Sequence, residues 1–213
     1  RFVFERTIRS SGDVVPDEGG EFRRLVTGES ARGEGLSKPY AVAVYRGVIF
    51  VSDTVSRFVQ VYDVPGGKLR RIGDEDGLGQ LIKPIGLDVD SAGRLYVADI
   101  GAKAVLVYDT DGKFLRKIGS DKWFSRLASV TVDPEGKRIY AVDIGGVSSE
   151  QHQVRVFDAQ TGAHQQDIGK RGSGPGEFNL PRDLAIGKDG RLYVVDGGNF
   201  RVVVFDREGR YLQ

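Results

Sequence analysis

Lys83-Pro84-Ile85-Gly86-Leu87-Asp88-Val89-Asp90 leads through a glycine turn into Gly93-Arg94-Leu95-Tyr96-Val97-Ala98-Asp99. Val105-Leu106-Val107-Tyr108-Asp109 comes next, then a second turn at Gly112, then Phe114-Leu115-Arg116-Lys117-Ile118-Gly119. The same order restarts at Lys38-Pro39, in degraded form at Arg126-Leu127, and again at Leu180-Pro181. The aspartate ending the second apolar run falls at Asp53, Asp99, Asp143 and Asp196, at spacings of 46, 44 and 53 residues. Four short strands repeating with a period in the mid-forties predict the blades of a β-propeller. The expected units are 36–80, 81–123, 124–177 and 178–213, in an all-β chain.

Local chemistry supports each strand. Leu95–Ala98 and Leu192–Val195 are apolar throughout, as strands covered on both faces should be. Asp109-Thr110-Asp111-Gly112 and Asp206-Arg207-Glu208-Gly209 read as hairpin turns, where Asp bonds its own backbone and Gly accepts positive φ. The fourth unit stops inside its last strand at Tyr211-Leu212-Gln213. At the other end Phe2–Ile8 reads as a lone strand; residues 1–9 are therefore expected to clasp a final blade, making this chain four blades of a larger, six-bladed ring. Residues 10–35 are too polar for core and too long for a turn, which predicts a surface loop. The third unit carries an insertion at Val147–Gln151, and the connection after it, Lys170–Phe178, is rich in glycine.

Composition excludes several function classes. There is no cysteine, hence no disulfide, thiolate metal site or cysteine nucleophile. The net charge of +1 gives no global pull toward nucleic acid or anionic lipid. No apolar run approaches the roughly twenty residues that span a bilayer. The chain opens at Arg1 and has no methionine, so a start segment is expected upstream, with room for a secretory signal or a lipid anchor.

Gly174-Pro175-Gly176-Glu177-Phe178-Asn179-Leu180-Pro181-Arg182-Asp183-Leu184-Ala185, followed by Gly190–Val202, resembles the NHL-repeat propellers. The resemblance covers about residues 36–213 and is weakest in the third unit, which lacks the proline. It implies a fold of four-stranded blades, while proteins of this kind serve as RNA readers, protein scaffolds, amidating lyases and lactonase-like enzymes. The run is also similar to exported bacterial six-bladed propellers, some found alongside multihaem c-type cytochromes. That likeness implies an extracytoplasmic, periplasmic or cell-surface protein.

One residue per blade, Asp53, Asp99, Asp143 and Asp196, could converge on a calcium ion. A residue present in every blade more simply does what every blade needs, ending a strand and accepting backbone N–H groups. Only two histidines occur, His152 after the insertion and His164 in a hairpin turn of the opposite rim, too few for a His-built metal centre. Loops joining second to third strands, and those joining successive blades, should share one rim. That rim is expected to carry Arg57, Lys103, His152, Lys170, Arg171, Arg182, Asn199 and Arg201, with Tyr40 and Phe200 as its aromatics. Trp123 and Phe124 are expected to pack between blades. The reading is a non-catalytic binding or scaffold module that contacts a protein partner through this rim, with no catalytic residue, metal or cofactor, and no nucleic acid partner. One alternative is a metal-dependent hydrolase or lyase using Asp88, Thr131 and Asp183 in the central channel. Another is an RNA-binding propeller.

Overall fold

The computed structural model describes residues 7–8, 10–15, 35–146 and 149–213. The expected clasp strand, and most of the 10–35 loop, lie outside the described residues. Four antiparallel sheets follow one another. The first is β1 (Pro39–Tyr45), β2 (Val48–Asp53), β3 (Phe58–Asp63) and β4 (Lys68–Ile72). The second is β5 (Pro84–Val89), β6 (Leu95–Asp99), β7 (Ala104–Tyr108) and β8 (Phe114–Ile118). The third is β9 (Leu127–Val132), β10 (Arg138–Asp143), β11 (Gln153–Asp158) and β12 (His164–Ile168). The fourth has β13 (Pro181–Ile186), β14 (Leu192–Asp196) and β15 (Arg201–Phe205). Tyr211 begins a fourth rung there, bridging to Phe205, and Leu212 donates its N–H to the Val204 carbonyl at 2.8 Å.

Each innermost strand opens on a disturbed ladder. Pro39 faces Asp53, Pro84 faces Asp99 and Pro181 faces Asp196, and the register shifts immediately after each. Proline has no N–H to donate, so the ladder cannot run regularly through it. The innermost strands β1, β5, β9 and β13 meet one after another, which places them around a common channel. They approach closely: a Cβ on Gly86 would lie 2.7 Å from the Ser129 Cα. The Ser52 hydroxyl donates across to the Ile85 carbonyl at 2.6 Å.

The core lies in the seams between blades, because a strand's side chains alternate from face to face. Leu95 and Val97 of β6 pack back onto Phe50, Val59 and Val61 of the first blade. Tyr96 and Ala98 of the same strand pack forward onto Leu127, Val130 and Ile139 of the third. A third cluster joins Val142, Val154 and Val156 to Leu184, Val194 and Val203. At the two ends this alternation presents apolar side chains outward. Val42 and Val44 of β1 are 63% and 64% exposed. Val195 of β14, expected to be covered like its counterpart Ala98, is 41% exposed, since no described residue packs against that face.

Aromatics from the interblade connections plug the seams. Phe124 is fully buried between the second and third blades, with its ring against Phe157 at 5.6 Å. Beside it Trp123 is half-buried and stacks on His164 at 4.2 Å and 15°. His164 opens strand β12 rather than lying in the hairpin turn, and its Nε2 meets Asp167 at 2.8 Å. Phe124→Ala should cost about 3–5 kcal/mol, the usual range for emptying a buried aromatic site. Urea unfolding followed by the emission of the single tryptophan, Trp123, measures this directly.

Candidate functional site

The repeated aspartates organise the rim on which every candidate stands. All four are fully buried. Asp53 accepts N–H groups from Ser37 at 2.6 Å and Lys38 at 2.9 Å, where the chain enters β1. It also accepts those of Val55 and Ser56 in the turn after β2. Asp99 does the same for Ile82, Lys83 and Ala102, and Asp143 for Ser125, Arg126 and Gly145. One carboxylate thereby ties the incoming connection of a blade to the outgoing turn.

Asp196 departs from this pattern and explains two of the predicted rim residues, Asn199 and Arg201. It takes one backbone N–H, from Asn179 at 2.6 Å. Its remaining partners are side chains, Asn199 Nδ2 at 2.7 Å and Arg201 Nε at 3.0 Å. Arg201 also donates to the carbonyls of Ser173, Gly174 and Glu177, and Asn199 to that of Gly172. Lys170 pairs with Glu177 at 3.3 Å. The Glu177 carboxyl is held below its ordinary range, first by the Gly174 N–H and then by Lys170. Arg171 reaches the Ser149 carbonyl at 3.4 Å. Asn199 and Arg201 stitch the glycine-rich connection to the fourth blade, and Arg171 ties it back to the third.

His152, expected on an exposed loop, is only 3% exposed. Its Nδ1 accepts the Leu180 N–H at 3.2 Å, which ties it to the next blade's entry. Arg57, Lys103 and Arg182 are different. All three are exposed, and none has a side-chain partner among the described residues. Arg57 and Lys103 share a position four residues after the repeated aspartate and directly before the third strand, and so does Phe200. Their φ angles are 62°, 47° and 53°, a left-handed conformation that non-glycine residues avoid. Phe200 is 96% exposed.

Sequence reasoning missed Arg155, because its counterparts in the other third strands are Gln60, Leu106 and Val203. It is 5% exposed and reaches Asp143 at 3.5 Å and Asp167 at 3.1 Å. Its only signal was a charge inside an otherwise apolar strand.

The three channel candidates do come together. Asp88, Thr131 and Asp183 line one cavity of about 470 Å³ with Tyr40, Ser129 and Arg182. Each carboxylate is already engaged: Thr131 Oγ1 donates to Asp88 at 2.6 Å, and Ser129 Oγ to Asp183 at 2.7 Å. Among the described residues no group of three or more His, Cys, Asp or Glu is placed to hold a metal ion. The hydroxyls act as latches from the third blade to its two neighbours.

Asp53 supplies a test of the tying carboxylate. Burial pushes its pKa up, but four backbone N–H bonds outweigh that and leave it below the ordinary value. Its contribution to stability is therefore present above the unfolded-state pKa near about 4 and is lost as pH falls through the folded value. Asp53→Asn should lower unfolding free energy by about 2 kcal/mol at neutral pH, and the deficit should narrow below about pH 4. Urea titrations across that range check both statements.

Residues 147–213 match the family model DUF5128, described as a 6-bladed beta-propeller. A 42-residue stretch is 48% identical to the human E3 ubiquitin-protein ligase TRIM32, covering 20% of this chain and 6% of that protein. Human NHL repeat-containing protein 3 is 42% identical over 40 residues, 19% of this chain and 12% of that protein. Among solved structures, Kuenenia stuttgartiensis hydrazine synthase superposes with a TM-score of 0.65 at 18% identity, over 88% of this chain and 51% of that one. A chain of a nidogen/laminin complex gives 0.65 at 18% identity, over 84% and 63%. At such identities these two likenesses concern the fold alone. The chain spans about half to two thirds of these structures and a small fraction of the curated relatives. The repeated four-stranded blades and their tying aspartates make the chain a β-propeller, and its repeats are similar to those of NHL proteins.

Proposed function

We propose that this propeller is a non-catalytic binding module that holds a protein partner through the rim carrying Arg57, Lys103 and Phe200. The observation that carries the reading is Phe200. A phenylalanine in left-handed backbone costs about 1–2 kcal/mol, and one that is 96% exposed recovers nothing by packing. Large aromatics beside cationic residues are the usual anchors of protein interfaces. The channel supports chemistry less well, because its two carboxylates are engaged as latches by hydroxyls of the third blade. Other NHL-like proteins read RNA, but that reading needs a run of aromatic platforms, and among the described residues the exposed aromatics of this rim are Tyr40 and Phe200.

Phe200→Asn should leave stability unchanged or raise it by up to about 1 kcal/mol, since asparagine tolerates this backbone region. The same change should abolish cross-linking to the partner in extracts of the native source. A partner retained at wild-type yield, or turnover of a small ester or lactone by the purified protein, overturns the reading. We also place the module outside the cytoplasm, on its likeness to exported propellers. Fractionation of the native source should recover it with periplasmic or surface proteins, and recovery with cytosolic markers would refute that.

A further inference from the structure

The mouth of the central channel carries a second feature, and it arises from the repeat itself. Lys38, Lys83 and Arg126 occupy one equivalent position, directly before the innermost strand of the first three blades. The backbone of each is locked on both sides. Its N–H goes to the buried aspartate, at 2.9 Å for Lys38, 3.0 Å for Lys83 and 2.8 Å for Arg126. Its carbonyl accepts the N–H of the residue after that aspartate, at 3.1, 3.1 and 3.0 Å. All three residues are exposed, and none of their side chains has a hydrogen-bond or ion-pair partner among the described residues. In the fourth blade Leu180 takes this position, with φ of 54°, and the cation moves two residues on to Arg182. Arg182 lines the channel cavity, is exposed and is likewise unpaired.

We propose that these four cations form a collar at the channel mouth that docks an acidic stretch of polypeptide. The proposal rests on the reading that a protein partner is held at this rim, and names that partner's chemistry. Two carboxylates share the cavity with Arg182, and each of them, Asp88 and Asp183, accepts a hydroxyl from β9. The aspartates beneath the collar are buried and saturated by backbone N–H groups, and the acidic run Asp74-Glu75-Asp76 lines a different cleft between the first two blades. Arg182 on the wall of the cavity of about 470 Å³, and the unpaired Lys38, Lys83 and Arg126 at the entries to the innermost strands, give this rim a positive charge that favours an anionic ligand. Polypeptide suits the site better than nucleic acid. Asp183 accepts both of its hydrogen bonds at one oxygen, leaving the other to accept a peptide N–H, a donor that a phosphate lacks. A single aromatic, Tyr40, lines the cavity, too few for base stacking.

The test is fluorescence anisotropy with a labelled peptide of about a dozen residues alternating Glu and Gly, in low salt and then at physiological salt. The wild type should bind it, with affinity falling as salt rises. Lys83→Glu combined with Arg126→Glu should weaken binding by at least about tenfold, since two attractions become repulsions. Lys113→Glu combined with Lys188→Glu, on the opposite rim, should stay within about twofold. No binding by the wild type, or equal loss in both double variants, overturns the collar. Tighter binding of single-stranded oligouridylate than of the peptide at the same salt overturns it in favour of nucleic acid. Partner cross-linking with the same variants separates this proposal from the one beneath it. If capture survives the collar variant and fails with Phe200→Asn, the collar is wrong and the rim reading stands. If neither change affects capture, both fall.

Discussion

The structure depends on a fully buried carboxylate at the end of the second strand of every blade. Removing a charge from water costs several kcal/mol unless it is fully hydrogen-bonded. The blades meet that requirement with different donors. Asp53 uses four backbone N–H groups and no cation, and Asp99 three. Asp143 has three and adds Arg155, while Asp196 has one and relies on Asn199 and Arg201. As the local backbone supplies fewer donors, side chains replace them. Every one of these bonds ends on a carboxylate, and such charge-assisted bonds are about twice as strong as neutral ones whichever donor makes them, so the substitution preserves the tie.

That constraint also sorts the rim. A residue near the buried carboxylate is either drawn in to satisfy it or turned away because its backbone already does so. Arg201 and Asn199 belong to the first kind, Lys38, Lys83 and Arg126 to the second. The left-handed corner held by Arg57, Lys103 and Phe200 is a third consequence, since the turn must return to the ladder within four residues of the aspartate. In the third blade His152, which follows the insertion, secures the entry of the fourth. Structural necessity and display at the rim are thus two outcomes of one local geometry.

Much of this was legible in the chain. The period, the strand order, the turn glycines and the structural role of the repeated aspartates follow from spacing and residue type, because each blade solves the same local problem. The bridge from Arg201 to Asp196 follows from proximity in sequence. The cations at Lys38, Lys83 and Arg126 stood in plain sight before each innermost strand, but spacing says nothing of whether a lysine has a partner.

Tertiary structure decided what depends on the approach of distant segments. His152 is buried because Leu180 comes to it from the next blade, and His164 is stacked because Trp123 folds over from the preceding connection. Arg155 is an internal strut because Asp143 and Asp167 converge on it from the two strands that flank its own. Asp88 and Asp183, plausible metal ligands on paper, are engaged by hydroxyls 43 and 54 residues away. The chain by itself determined the blade, since a blade is held by contacts between neighbouring strands. Which rim residues remain unpaired was settled only when blade met blade, because hydrogen-bond satisfaction is a property of the assembled seam.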